Sequence, residues 1–374
     1  KARLKVSFWG GVDVVTGSRH LLEYGDTRVL LDCGLFQGHR KEALQENRQF
    51  HFDPSALSTV LLSHAHVDHC GNLPLLVKKG FRKTIHCTHP TQEITKVMLM
   101  DSAYIQEEDA KFFNKVHAQN GESIEPLYDH EDVRQFLELF KGHAYEEPFE
   151  PAPGVTARFL DAGHVLGSAM IEVIFQTRQG KRCVLFTGDM GRRKNILMNA
   201  PAIPKSVDYL LIESTYGNRL HDPIQNAENK LAAAIQSCVQ EKGRILIPSF
   251  ALERTQELLS QLNELIEHNR IPRVPVYLDS PLAINATEVY QQFTHYFNEH
   301  TQEELAHGHD NDLFNFPGLI MTPTREDSQK INDAPSPKII MAGNPHGYGS
   351  RIMHHFLRVL PDPNSMVLFV GYAR

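Results

Sequence analysis

Short apolar runs separated by glycine dominate the first 70 residues of the chain. Leu4-Lys5-Val6-Ser7-Phe8-Trp9 reads as a strand into the turn Gly10-Gly11. Gly17-Ser18-Arg19-His20-Leu21-Leu22-Glu23-Tyr24 is a second strand, with Gly25-Asp26 as a hairpin turn. Arg28-Val29-Leu30-Leu31 is a third, closing on Asp32-Cys33-Gly34, and Val60-Leu61-Leu62 reads as a buried fourth. Three strands before any helix predict a mixed, β-rich layer. A helix follows over Leu73–Lys79, then a strand over Thr84–Thr88. A long helix over Thr91–Val116 places Ile94, Met98, Ile105 and Phe112 on one face, which predicts core packing. Asp129–Phe140 reads as another amphipathic helix, carrying Val133, Phe136, Leu137 and Phe140. The three prolines within Glu146–Gly154 predict a loop into a strand over Val155–Leu160. Val184-Leu185-Phe186 and Tyr209-Leu210-Leu211-Ile212 read as buried strands, each followed by an acid.

From Asn218 the pattern changes to alternating helices and strands. A helix is predicted over Asn226–Gln240, and a strand, loop and helix over Gly243–Glu257. Further strands fall at Val274–Leu278, Pro337–Gly343 and Met366–Tyr372. This pattern predicts a parallel α/β unit. The domain division expected is therefore 1–217 and 218–374.

Chemistry concentrates after the fourth strand, in Ser63-His64-Ala65-His66-Val67-Asp68-His69-Cys70-Gly71-Asn72. Three histidines and an aspartate fall within six positions. Two residues apart on an extended backbone, His64 and His66 share one side. Asp68 is expected to continue that side, and His69 to turn from it. Imidazoles and carboxylates are ligands that zinc accepts. A solvated polar loop is the plainer alternative, and three imidazoles after an apolar strand argue against it. Asp161-Ala162-Gly163-His164-Val165-Leu166-Gly167 offers a further imidazole on a strand-end loop, and Thr187-Gly188-Asp189 a carboxylate able to bridge two cations. Asp32 is either a turn residue bonding its own backbone or a support for the ligand loop. Arg192-Arg193-Lys194 is either a solvated basic turn or a phosphate-facing patch.

The stretch His64-Ala65-His66-Val67-Asp68-His69, followed in order by His164 and Asp189, resembles the signature of the metallo-β-lactamase superfamily. Tyr209-Leu210-Leu211-Ile212-Glu213-Ser214-Thr215-Tyr216-Gly217 and Ile247-Pro248-Ser249-Phe250-Ala251 with Glu253-Arg254-Thr255-Gln256 resemble its β-CASP branch of RNA-processing nucleases. The resemblance implies an α/β protein: an αββα metallo-β-lactamase sandwich with an α/β β-CASP domain. It implies two Zn2+ ions, the first held by His64, His66 and His164. The second would be held by Asp68, His69 and Asp189, with Asp189 shared. It makes Asp32 a support behind the ligands and Glu213 a group beside the second site. The activity implied is hydrolysis of RNA phosphodiester bonds by a metal-bridged hydroxide, which Asp68 could orient. RNA would lie in the cleft between the domains, touching Arg192, Arg193, Lys194, Ser249 and Arg254. Ser249 could instead cap a helix, and Arg254 could pair with Glu257. The alternatives are ester or lactam hydrolysis at the same site, or a scaffold subunit without catalysis. The partners implied are RNA and either a second copy or an RNA-processing complex. His354 and His355 are expected to be structural, and His346 is read as a loop residue with a ligand role as the alternative. In the family the chain continues past this point and returns to the first domain with two more histidines, which the 374 residues do not include.

Composition narrows these readings a little. The formal charge is −7, so nucleic-acid contact has to come from a local basic patch. Five scattered cysteines without a Cys-x-x-Cys motif suit buried thiols in a reducing compartment. No apolar run reaches membrane-spanning length, and the expected location is the cytoplasm. There are 21 histidines, and His86, His89, His117, His130, His143, His300, His307 and His309 show no partner pattern.

Overall fold

The computed structural model describes residues 3–38, 40–117, 123–220, 227–307, 312–343 and 351–370. The chain divides into two compact units, Lys1–Gly217 and Asn218–Arg374.

The first unit stacks two sheets. One runs β1 (Lys5–Phe8), β2 (His20–Tyr24), β3 (Thr27–Leu31), β4 (Thr59–Leu61), β5 (Ile85–Thr88) and β6 (Phe140–His143), in spatial order. Its first three strands are antiparallel and the rest parallel. The other runs β7 (Phe149–Ala152), β8 (Val155–Asp161), β9 (Ala169–Thr177), β10 (Gly180–Phe186) and β11 (Tyr209–Leu211), with β10 and β11 parallel. The helices are α1 (Arg40–Arg48), α2 (Val67–Cys70), α3 (Leu73–Lys78), α4 (His89–His117) and α5 (His130–Leu137).

Strand alternation explains the layering. Leu22, Val29, Leu31 and Leu61 point between the sheets, against Phe159, Ile171, Val173, Phe175 and Val184. Their neighbours Leu21, Leu30, Val60 and Leu62 point the other way, onto Leu73, Leu76, Leu99, Val133 and Phe136 of the helices. Burial of each such side chain contributes about 1.5–3 kcal/mol. The outer face of the second sheet, at Leu160, Met170 and Leu185, is covered by Met190, Ala202 and Val207. Asp129 starts α5 with a reciprocal capping box to Asp132.

Five local expectations are corrected. In α4, Ile94 and Met98 are buried but Ile105 and Phe112 are 51% and 71% exposed. All four share a face, but after Met98 the packing passes to Leu99, Ala103 and Ala110, roughly on the opposite side at 3.6 residues per turn. The small alanines let neighbouring chain approach that side. Phe140 belongs to β6, since α5 ends at Leu137. The proline-rich loop contains β7, an edge strand paired on one side only, where Pro151 breaks no ladder bond that matters. Tyr209 and Leu210 are about half exposed and Ile212 is 60% exposed, because β11 is the opposite edge of that sheet. Asp68 leaves the extended path and lies in the helical turn α2. Helix α1 had no apolar periodicity to announce it.

The second unit is a five-stranded sheet in the order β14 (Leu319–Met321), β13 (Val276–Asp279), β15 (Lys338–Gly343), β12 (Arg244–Ser249), β16 (Met366–Val367), with every pairing parallel. The helices here are α6 (Ala227–Gln240), α7 (Arg254–Glu267), α8 (Pro281–Gln292), α9 (Glu299–His307), α10 (Arg325–Lys330) and α11 (Arg351–Val359). Leu246, Ile340 and Ala342 pack on Ile352 and Val359 of α11. Ile245, Ile247, Ile339 and Met341 alternate to the opposite face and are equally buried, as a parallel sheet requires. Of the strand predicted over Met366–Tyr372, only Met366–Val367 pairs as strand; Leu368, Phe369 and Val370 are described but not strand, and Gly371 and Tyr372 lie outside the described residues.

Candidate metal centre

Strand ends bring the chemical residues of the first unit together. Asp32 follows β3, Ser63 and His64 follow β4, His164 follows β8 and Asp189 follows β10. Hydrogen bonds lace these segments. Ala169 N–H donates to Ser63 O, Gly191 N–H to Ala162 O, and Cys33 N–H to His69 O. Two glycines allow the closest approaches. A Cβ on Gly34 would lie 1.6 Å from Asp68 O, and one on Gly191 would lie 1.6 Å from Gly163 O. His164 is set by two backbone N–H groups, its own and that of Val165, both donating to Ser168 Oγ.

His64, His66, His164 and Asp189 each present one ligand atom, all within 4.8 Å of one another. His66 Nδ1 is 3.0 Å from His64 Nε2 and 3.3 Å from His164 Nε2. Asp189 Oδ2 is 3.5 Å from His164 Nε2 and 3.9 Å from His64 Nε2. Ligands of a tetrahedral zinc stand roughly 3.3 Å apart, so this donor set fits such an ion. The other oxygen of Asp189, Oδ1, lies 3.2 Å from His69 Nε2, which is 3.8 Å from Asp68 Oδ2. Asp189 thus turns one oxygen to each group.

Asp32 stands behind both groups, fully buried and at φ +59°, a conformation aspartate tolerates better than most residues. Its Oδ1 accepts the Ser63 N–H at 2.8 Å. Its Oδ2 accepts from His69 Nδ1 at 2.7 Å, Ser63 Oγ at 2.8 Å and Ser18 Oγ at 3.2 Å.

Burial holds the imidazole of His66 down to about 4, and those of His64 and His164 below their usual value. These rings are therefore neutral, as ligation requires. His69 goes the other way. Burial is the strongest single influence and opposes its charge, but Asp189 and Asp32 together outweigh it and raise the ring well above its usual value. Burial likewise opposes the charge of Asp189, and His69, His64 and His164 hold it far below the carboxylate range.

Other sequence candidates sit differently. The Glu213 N–H donates to Thr187 Oγ1, while its carboxylate accepts the Thr215 N–H at 2.9 Å and, among the described residues, bonds to no histidine. Arg193 and Lys194 are exposed, and Arg192 is half-buried. In the second unit, Ser249 is buried and contacts Thr255 Oγ1 and Phe250 O. The helix after it is capped at Glu253 with no side-chain cap bond, so Ser249 is not its cap. Arg254 is paired with Glu257 at 2.6 Å. His355 is buried on Asp279, whereas His354 is exposed. His346 and His309 lie outside the described residues. Sequence reasoning passed over Ser18 and Ser63, whose hydroxyls reach Asp32. A serine carries no periodic signal, and only its position directly before His64 hinted at a role.

Stacked sheets with a His/Asp cluster at their strand ends define a metal-binding hydrolase fold. The chain belongs to the metallo-beta-lactamase superfamily, which residues 13–249 match, and residues 255–374 match the Beta-Casp domain. It is 35% identical to Ribonuclease TTHA0252 of Thermus thermophilus, over 99% of this chain and 79% of that one. It is 31% identical to Transcription termination factor FttA of Methanosarcina mazei, over 99% of this chain and 56% of the relative. It is 29% identical to Endoribonuclease YSH1 of Kluyveromyces lactis, over 100% of this chain and 47% of the relative. A solved protein of unknown function from Enterococcus faecalis shares the fold, with a TM-score of 0.55 at 14% identity over 100% of this chain and 88% of that one. Among the described residues no helix is long and apolar enough to cross a membrane.

Proposed function

We propose that this chain is a zinc-dependent ribonuclease whose catalytic domain is Lys1–Gly217 and whose β-CASP domain is Asn218–Arg374. The observation that carries the reading is Asp189, which aims one oxygen at the His64, His66 and His164 group and the other at His69. The relatives named ribonuclease and endoribonuclease supply the substrate class. His64, His66 and His164 would hold one zinc, and Asp68, His69 and Asp189 a second, with Asp189 shared. Ions held by these residues would supply an activated water and charge neutralisation for an in-line displacement.

The protein's own groups do the rest. The neutral imidazoles of His64, His66 and His164 keep their lone pairs free for the ions. Asp68, only partly buried, orients the attacking water. Glu213 acts through its backbone, tying the end of β11 to the loop that carries Asp189. Arg193 and Lys194, exposed just after Asp189, contact phosphates. The test is cleavage of end-labelled and circular RNA by the wild-type protein and by His64→Ala and Asp189→Asn. Both variants should keep the fold and lose cleavage along with bound metal. Undiminished cleavage by a folded His64→Ala would sink the proposal. Opening of the circle would show internal cleavage.

A further inference from the structure

Ser63 lies between Asp32 and His64, and its single proton decides what His64 presents to the centre. Four groups converge on the Asp32 carboxylate, and Ser63 provides two of them: N–H on Oδ1 and O–H on Oδ2, each at 2.8 Å. The same Ser63 Oγ is 3.0 Å from His64 Nδ1. A hydroxyl has one proton to donate. A carboxylate is the stronger acceptor and the nearer one here, so the proton goes to Asp32. The contact with His64 is then a hydrogen bond only if His64 Nδ1 carries a proton and donates to Ser63 Oγ. That leaves Nε2 without a proton, facing His66 Nδ1 and Asp189 Oδ2.

His69 receives the same instruction directly. Its Nδ1 lies 2.7 Å from Asp32 Oδ2, which leaves Nε2 to face Asp189 Oδ1. We infer that Ser63 is a positioning residue which relays the tautomer preference of one buried carboxylate, Asp32, from the His69 side of the centre to the His64 side. The two rings belong to different ligand groups, so one carboxylate holds the Nδ1 proton of each and leaves Nε2 as the atom turned to the centre. The setting is rigid. Ser63 is fully buried, its carbonyl is held by Ala169 N–H, and a Cβ on Gly188 would lie 2.8 Å from its own Cβ. The inference rests on the proposed assignment of His64 and His69 as ligands, but its first readout needs neither metal nor RNA.

That readout is where the protons of each ring sit in the metal-free protein, from long-range 1H–15N spectra: His64 is neutral and has a tautomer to report, whereas His69, charged between Asp32 and Asp189, carries a proton on both nitrogens. The wild type should show Nδ1–H for both His64 and His69. Ser63→Ala should shift His64 toward Nε2–H and leave His69 unchanged, whereas Asp32→Asn should disturb both. Zinc affinity, measured by competition with a chelator, should fall about 10- to 100-fold in Ser63→Ala, the usual effect of losing a partner behind a metal ligand. Ser63→Thr, which keeps the hydroxyl, should restore the His64 tautomer. A wild-type His64 carrying its proton on Nε2, or an unchanged His64 tautomer and affinity in Ser63→Ala, would overturn the inference. If Ser63→Ala does not fold, the wild-type spectrum and Ser63→Thr still decide it. Loss of the ribonuclease reading alone would show differently: tautomers and zinc affinity as expected, with no RNA cleavage.

Discussion

A buried carboxylate is stabilising only while its partners stay in place, and Asp279 shows the consequence on a single residue. It ends β13 and is fully buried. Its Oδ1 accepts from Arg351 Nη1 and Thr322 Oγ1, and its Oδ2 from His355 Nε2 and Ser328 Oγ, at 2.7–2.8 Å. Those donors come from α10, α11 and the end of β14, so one side chain ties three segments to the sheet. Burial opposes its charge, but bonds from His355, Ser328, Arg351 and Thr322 outweigh that and hold the carboxyl down to about 2. Removing one member of such a set leaves an uncompensated Arg351, and Asp279→Ala should cost about 3–5 kcal/mol in denaturant unfolding. The sign of the pH dependence follows. A carboxyl depressed on folding contributes fully above its unfolded value near 4, and its contribution disappears as pH falls through 2. The stability gap between wild type and Asp279→Asn should therefore narrow between pH 4 and pH 2, and a gap independent of pH there would refute the account. Gly34 poses a packing question at the same scale. A methyl group 1.6 Å from Asp68 O cannot be absorbed without moving the ligand turn. Gly34→Ala should destabilise by about 3 kcal/mol or more and weaken metal binding, whereas Gly25→Ala, with nothing within 4 Å, should leave metal binding intact.

At the scale of elements, legibility followed the strength of local patterning. The strands at Val60 and Val184 were readable because each is a short apolar run next to a turn, and those same runs deliver His64 and Asp189 to one place. Where burial depends on a partner distant in sequence, the pattern misleads. Ile105 and Phe112 carry the periodicity of a core face yet face outward, and Tyr209 to Ile212 has the composition of a buried strand at a sheet edge. His86 and His143 show the same limit. They lie 57 residues apart with no shared pattern, yet β5 and β6 place His86 Nδ1 2.8 Å from His143 Nε2, with His143 stacked on Phe149 of β7. One ring must donate and the other accept, so the pair tolerates at most limited charge. Burial pushes both rings down to about 4; Lys141 reinforces this for both, and Glu147 opposes it at His143. A histidine depressed on folding contributes stability above its unfolded value near 6.5, and the contribution is lost as pH falls toward 4. His143→Phe should therefore flatten the loss of stability between pH 6.5 and 4 relative to wild type, as followed by urea unfolding. Parallel curves for the two proteins across that range would count against the pair as an acid-labile contact.

For the whole molecule, the division into two units makes a claim about where metal is felt. Every proposed ligand lies between His64 and Asp189, inside Lys1–Gly217, and the second unit has its own core and its own buried carboxylate at Asp279. Near residue 218 the sequence changes rhythm, from short strands with turns to helices alternating with strands. It did not reveal how Asp32, Ser63 and His69 interlock, because that depends on the ends of β3 and β4 meeting the helical turn α2. An ion bound only to the folded state stabilises by mass action, about 2.7 kcal/mol when free metal is a hundredfold above its dissociation constant. Without metal, His69 carries charge beside Asp189, while His64, His66 and His164 remain neutral lone-pair bearers with nothing to bind. The cost of chelation should therefore fall on the loops after β4, β8 and β10. Hydrogen exchange resolved by peptide, with and without chelator, should show lost protection around His64–Asn72, Asp161–Ser168 and Thr187–Gly191, while β12, β13 and β15 keep theirs. Equal loss across both units would mean that the centre supports the whole chain. No loss at all would mean that the hydrogen bonds on Asp32 hold the site together without an ion.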